Sequence, residues 1–290
     1  MLSVFVLTYN EERNLPECLA SIKGLSEDVH IIDSHSTDRT LEIATEFGAG
    51  VHQRTFDSFA RQCNWALDKV PFKHGWVMRL DADERLTPEV AHEIQGILAN
   101  ASDDLSAIIL KKRLYFMGRW IRYGRMYPML RLCIYRREVG RYEDLEEEQF
   151  VVKHGQTITA KNDFFEDNLN NDLPYFTAKH IDYAEDEAGE FLNRTGEGEL
   201  KPRLLGNKIE RTRWLKLNIY NRAPLGLRAL LYFLYRYIFC LGFMDGREGL
   251  IFHTLQAFWY RFYVDARVYE MRKRWWEKPM SNPSESKMEN

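Results

Sequence analysis

The sequence predicts an α/β protein, a mostly parallel sheet with flanking helices, followed by a basic and aromatic helical region. Three observations carry that expectation. Short apolar runs alternate with amphipathic segments through the first hundred residues, the pattern left by strand–helix–strand crossovers. Three of those runs end in polar or acidic residues, at Thr8-Tyr9-Asn10-Glu11, at Asp33 and at Asp81-Ala82-Asp83, and ligands collect at the carboxyl ends of such strands. Charge is also divided along the chain. Residues 1–200 hold 23 Lys and Arg against 35 Asp and Glu, whereas residues 201–278 hold 16 against 6.

The elements follow in order. Ser3–Leu7 is a short apolar strand, and a helix is expected from about Leu15 to Ile22. Val29–Asp33 forms a second strand that ends in an acid. The next helix carries Leu41, Ile43, Ala44 and Phe47 on one side, and Gly48-Ala49-Gly50-Val51 begins a third strand. Residues 59–69 have helical spacing, Trp76–Leu80 is the fourth strand, and Pro88 opens a helix running to about Leu98.

A chain of 290 residues with 45% hydrophobic content can bury a substantial core. The charge division suggests a body over 1–200, a basic aromatic region over 201–278 and a disordered tail over 279–290. The N-terminus shows neither a basic n-region nor a small-residue cleavage site, so no signal peptide is expected. Cys18, Cys63, Cys133 and Cys240 are scattered without a Cys-x-x-Cys pair, which suits a reducing compartment. An acidic body without a recognised nucleic-acid module argues against nucleic-acid binding. Neither Gly-x-Gly-x-x-Gly after the first strand nor a phosphate loop ending in Gly-Lys-Ser/Thr is present, so dinucleotide and P-loop sites lose their usual support.

The acids remain. In an extended segment Asp81 and Asp83 would share a face. Two carboxylates about 5 Å apart repel by roughly 3 kcal/mol at an effective dielectric near 20, so a cation is expected there. Asp33 can accept hydrogen bonds from a base or ribose, while Asp83 can hold a divalent ion that bridges two phosphates. Magnesium or manganese suits such an oxygen site, because either often uses one or two carboxylates plus substrate phosphates.

The stretches VFVLTYNEERNLPECLASI, IIDSHSTDRT and LDADERLTPE, in this order and spacing, resemble family-2 glycosyltransferases of the GT-A fold. The bacterial branch that builds lipopolysaccharide core and exopolysaccharide is the most similar. The resemblance runs on through FARQCNWAL and covers roughly residues 2–270. It implies that Thr8, Tyr9, Asn10 and Glu11 hold the nucleoside, that Asp33 contacts the base, and that Arg61 and Asn64 line the donor pocket. Within Asp81-Ala82-Asp83 it implies that Asp81 faces the ribose and Asp83 binds the metal, Asp81 being a second candidate ligand. The bland readings are that Asp33 caps the segment after it and that Glu11 is a first-turn acid favoured by the helix dipole.

Inverting transfer needs a base for the acceptor hydroxyl. GRYEDLEEEQFVV places five acids within six residues before a β-like Phe150-Val151-Val152, and clustered carboxylates raise one another's pKa. The resemblance favours Glu148, with Glu147 and Asp144 as close alternatives; the bland reading is a solvated charge run. It also implies that Asp167 completes the metal shell and that Lys179 or His180 meets the donor diphosphate. Arg122, Arg125 and Arg131, interleaved with Tyr123, Tyr127 and Pro128, either face an anionic acceptor or form a surface patch.

In the basic region, Ala229–Met244 is apolar for sixteen residues with one arginine inside, short of the roughly twenty a spanning helix needs. After a Gly-rich turn at 242–249, Ile251, Leu255, Phe258 and Phe262 recur at helical spacing, followed by Arg267, Arg272, Lys273 and Arg274. Residues 213–276 thus read as a helical hairpin at a membrane interface, against a packed helical subdomain or a dimer interface. The expected protein is a metal-dependent inverting glycosyltransferase (a hexosyltransferase) at the cytoplasmic face of the bacterial inner membrane. It moves a sugar from a nucleotide donor, UDP-linked by preference, to a lipid-linked glycan. A sugar nucleotidyltransferase and a non-catalytic membrane scaffold are the alternatives.

Overall fold

The computed structural model describes residues 2–143, 150–170, 172–193, 204–205, 211, 214–215, 218 and 220–277. It divides into two compact units, Met1–Phe176 with Tyr237–Ile251, and Thr177–Arg236 with Phe252–Asn290. The units interleave along the chain, where charge alone suggested a boundary near residue 200.

The first unit begins β1 (Leu2–Thr8), α1 (Leu15–Ile22), β2 (Asp28–Asp33), α2 (Thr40–Phe47), β3 (Gly50–Gln53), α3 (Phe59–Lys69), β4 (Trp76–Asp81), β5 (Glu84–Leu86) and α4 (Pro88–Ala99). It continues with β6 (Leu105–Phe116), β7 (Arg119–Ile121), β8 (Met129–Arg136), β9 (Gly140–Tyr142), β10 (Phe150–Val152) and β11 (Gln156–Glu166). Local chemistry fixes the helix ends. Leu15, Cys18, Leu19 and Ile22 of α1 are buried at helical spacing. Ser58 caps α3 by accepting the Arg61 N–H, and Thr87 caps α4 by accepting the Val90 N–H ahead of Pro88. Gly48, with φ of 86°, closes α2 in the left-handed region, so the third strand starts two residues later than expected.

Among the described residues the main sheet is ordered β3-β2-β1-β4-β8-β6-β11-β5, with β7 on β6. The β3–β2–β1–β4 half is parallel, as expected. Beyond it the sheet is mixed rather than mostly parallel: β8 runs antiparallel to both β4 and β6, and β5 antiparallel to β11. The reason is connectivity. The few residues between β6 and β8 form a hairpin and a loop, with no helix to carry a parallel crossover. β1 is buried on both faces, Val4 and Val6 packing with α1 and α4, and Phe5 with α3. Register then sets Thr8 level with Asp33, and Leu7 level with Asp81, so the three polar strand ends line up.

At the start of β2, buried Asp28 accepts bonds from the Ser3 hydroxyl at 2.6 Å and the Lys73 N–H at 2.8 Å. His30 stands 3.1 Å from Asp28 through one ring nitrogen and 3.1 Å from His52 through the other. Burial holds both imidazoles below their ordinary value of 6.5; Asp28 pulls that of His30 upward against the downward push of Lys73, and His30 lowers that of His52 further. The unfolded chain therefore binds protons that the folded chain resists. The melting temperature is expected to fall as pH drops from about 7.5 to 5.5, starting where unfolded histidine titrates. In His52→Gln that slope should flatten, and an unchanged slope would remove this pair as its cause.

The second unit is helical. Ala184 and Ala188 of α5 (Leu173–Asn193) pack with Tyr260, Val264 and Val268 of the helix Tyr260–Glu277. Glu187 accepts from Tyr260 at 2.7 Å and from Arg261 at 2.6 Å. Arg228 and Asp265 form a buried ion pair, and Asp265 also accepts the N–H of Gly226 at 2.7 Å. Asp265→Ala would strand the guanidinium, so a loss of about 3–5 kcal/mol is expected in this unit. Hydrogen exchange over 220–268 reads it directly. Among the described residues no single helix is long and apolar enough to cross a membrane, although Leu227–Phe239 and Gly242–Lys273 pass that test as a bent pair.

Candidate active site

The loop after β1 and the loop after β2 are tied together. Buried Asp33 accepts from the Thr8 hydroxyl at 3.1 Å, the Ser36 N–H at 2.9 Å and the Gln53 amide at 3.3 Å. It therefore does cap the segment after it. Asn10, with φ of 55°, accepts the Thr37 N–H at 2.8 Å, and its own N–H donates to the Ser36 hydroxyl. Tyr9 is left 60% exposed at the lip of these loops, where a flat nucleobase can stack on it.

The Glu11 carboxylate accepts from Asn14 at 2.8 Å and from Asn170 at 3.5 Å. The Asn14 amide also donates to the Asn168 side-chain oxygen at 3.1 Å, and the Asn168 amide donates to Asp83 at 3.0 Å. This chain of amides joins Glu11 to Asp83. The Asp167 N–H donates to the Asp83 carbonyl at 3.0 Å, which brings Asp167 beside it.

Asp81 and Asp83 do not share an extended face. Residues 82–83 turn, and Glu84 begins β5. The turn is closed by Glu84, whose carboxylate accepts the Asp81 N–H at 3.0 Å. The cations the acids require are built in. Arg79 and Arg131 approach Asp81 at 3.5 and 3.4 Å, so Arg131 is accounted for inside the site. Buried Lys112 stands 3.3 Å from Glu84 and also donates to Glu166. Arg85 pairs with Glu17 at 2.6 Å and reaches the backbone carbonyls of Asp83 and Asp167. Ala82 and the thiol of Cys18 are buried beneath the turn, and that thiol donates to the Asp81 carbonyl at 3.6 Å. Burial and the surrounding acids push the Cys18 pKa far up, so it stays protonated.

Asp83 is distinct. Burial first, then Glu166, Asp81 and Glu84, raise its pKa well above the ordinary carboxylate range, and Lys112 only partly opposes them. Asp81 has its arginines, and Glu84 and Glu166 have Lys112, whereas the bond to Asp83 comes from an amide. Among the described residues no three His, Cys, Asp or Glu side chains form a ready-made metal cage. An oxygen donor among acids whose charge Lys112 only partly offsets nevertheless fits a hard divalent cation whose remaining ligands are substrate phosphates and water.

Other expected residues are placed differently. Both amide atoms of Asn64 bond the backbone of Tyr142, at 2.9 and 3.0 Å, so this side chain clamps β9 to α3. Arg61 lies exposed in the first turn of α3. Lys179 and His180 belong to the second unit, where Lys179 sits over the Tyr183 ring and His180 packs edge-on against Tyr260. Asp144, Glu147 and Glu148 lie outside the described residues; β9 and β10, which flank them in sequence, pair antiparallel.

The family description Glycosyl transferase family 2 matches residues 3–162, which takes in the strand ends at Thr8, Asp33 and Asp81. The chain belongs to that family. An uncharacterized glycosyltransferase of Rickettsia typhi is 32% identical over 133 residues, 46% of this chain and 44% of that protein. The lipopolysaccharide core biosynthesis glycosyltransferase LpsC of Rhizobium meliloti is 31% identical over 167 residues, 55% of this chain and 60% of that protein. This family member thus spans less than half the length of the Rickettsia relative it matches. The crystal structure of S. aureus TarS 1–349 aligns with 95% of this chain and 92% of its own at 17% identity, with a TM-score of 0.48.

Sequence reasoning missed Lys112, Glu84, Glu166, Asn14 and Asn168. Lys112 left a signal, being a charge on the inward-facing period of an apolar strand with Ile108 and Leu110.

Proposed function

We propose that this glycosyltransferase moves a sugar from a nucleotide donor, UDP-linked by preference, to a lipid-borne glycan acceptor, with inversion, at the cytoplasmic face of a bacterial inner membrane. One observation carries the reading: Asp83 stands in the turn just after β4, in negative surroundings, and is joined through Asn168 and Asn14 to Glu11 on the loop after β1, the loop that Asn10 ties to the segment capped by Asp33. Manganese or magnesium bound there would supply Lewis-acid stabilisation of the departing diphosphate. In this reading Asp81, held by Arg79 and Arg131, meets the ribose. An acid within 144–148 takes the acceptor proton, Glu148 being preferred over Glu147 and Asp144. Arg122 and Arg125 are the cations assigned to an anionic acceptor. The name of the LpsC relative supports a lipid-borne glycan, and the basic aromatic composition of 213–276 supports contact with a membrane.

Calorimetric titration of the purified protein with UDP, GDP, dTDP and CMP, with manganese and then with EDTA, tests this. Manganese-dependent binding of one nucleoside diphosphate is expected. Folded protein that binds none of the four overturns the reading.

A further inference from the structure

The segment Gly242–Gly249 lies outside the matched family region, within the stretch whose composition favours a membrane. In the first unit it folds against the loop after β7. Asp245 is buried, and its carboxylate accepts the N–H groups of Arg122 at 3.2 Å and Tyr123 at 2.8 Å. The Gly124 N–H donates to the Cys240 carbonyl at 2.9 Å. Arg119 donates to the Met244 carbonyl at 3.4 Å and lies 3.8 Å from Glu248. Gly249 permits the closure, since a Cβ there would stand 2.5 Å from that of Asp245. Residues 117–125 and 238–244 therefore form one continuous surface.

That surface is apolar and basic. Phe239 is 78% exposed, and Met117, Ile238, Leu241, Phe243 and Met244 are each near half exposed. Arg119, Arg122 and Arg125 are exposed, and neither stretch contains an acid, although the first 200 residues carry 35 acids against 23 bases. Its position is also informative. β6 runs parallel to β11 and, through antiparallel β8, in the same direction as β4 and β1. The β6–β7 hairpin tip at Met117-Gly118 therefore lies at the sheet end that carries Thr8, Asp33 and Asp81.

We propose that 117–125 and 238–244 together form a lipid-docking surface that seats the first unit on an anionic bilayer, with the carboxyl end of its sheet turned to the membrane. This rests on the reading that the acceptor is lipid-borne, and it locates the contact in a short bolted surface of the glycosyltransferase unit. Phenylalanine and aliphatic side chains enter the headgroup boundary, and Arg119 meets lipid phosphates beside Arg122 and Arg125, the cations assigned to the lipid-borne acceptor. A second copy of the chain fits less well, because a two-fold contact would bring Arg119, Arg122 and Arg125 against their own copies, with Glu248 at the edge already beside Arg119.

The test is sedimentation of the full chain with vesicles of phosphatidylcholine alone and of phosphatidylcholine mixed with phosphatidylglycerol. The wild type is expected to sediment with the mixed vesicles. Phe239→Glu combined with Met244→Glu should weaken that partitioning about tenfold or more, with melting temperature and manganese-dependent UDP binding unchanged. Arg119→Gln should narrow the preference for phosphatidylglycerol. Wild-type sedimentation retained in full by the double variant overturns the proposal while leaving membrane contact elsewhere in 213–276. A dimer that the double variant dissolves overturns it in favour of self-association. Absence of wild-type binding to either vesicle overturns it too, and UDP binding then decides separately whether the transferase reading stands.

Discussion

Asp83→Asn is expected to lower turnover by at least about 10²–10³-fold, the scale set by removing one electrostatic contact to developing charge, while making the protein more stable. The two effects share a cause. Burial and the neighbouring Glu166, Asp81 and Glu84 raise the Asp83 pKa, so its ionised form is penalised in the folded state relative to the unfolded one. An uncharged isostere removes that penalty and keeps an oxygen for the Asn168 amide. The melting temperature should rise by roughly 2–4 °C for each kcal/mol relieved. Manganese-dependent binding of nucleoside diphosphate should disappear in the same variant. Retained turnover would remove Asp83 from the proposed role. A fall in stability alongside lost turnover would mean that the carboxylate serves the fold, and the negative cluster would need another explanation.

What could be read from the sequence was local. The first helix was legible because Leu15, Cys18, Leu19 and Ile22 repeat at helical spacing, and the structure returns Leu15–Ile22. The strand ends at Thr8 and Asp33 were legible because apolar runs stop there. Asp81 and Asp83 show the limit of that logic: a period of two holds only while the backbone stays extended, and the Glu84 carboxylate folds it into a turn at Asp81. Contacts between distant residues leave little local trace. Asn14 and Asn168 meet across 154 residues, and Tyr123 and Asp245 across 122. The charge division hid that second contact, since it placed the Gly242–Gly249 turn with the basic helices, while its hydrogen bonds place it with the sheet. Short strands conceal most. The three residues of β5 acquire meaning only from pairing with β11, and that pairing brings Glu84 and Glu166 to Lys112.

Lys112 carries the second large prediction. Its ammonium group is buried between Glu84, which is fully buried, and Glu166, which is partly so. Lys112→Met would leave both acids without their ion-pair partner, with only the more distant Arg131 and Arg79 acting on Glu84, in a setting that already raises the Glu84 pKa. Breaking a buried ion pair from one side costs about 3–5 kcal/mol, a large fraction of the roughly 5–15 kcal/mol that holds a domain together. A steep fall in melting temperature is expected, and manganese-dependent UDP binding should weaken as the 81–84 turn loosens. Adding Glu84→Gln should restore much of both. The amide oxygen still accepts the Asp81 N–H, no buried charge is stranded at position 84, and half-buried Glu166 can turn to water. The double-mutant cycle should therefore give a coupling of about 1–3 kcal/mol. Additive effects would show that Lys112 stabilises the sheet without governing the turn. Restored stability with UDP binding still lost would assign Lys112 to the donor itself, because its charge would then be needed after the turn it supports had been repaired.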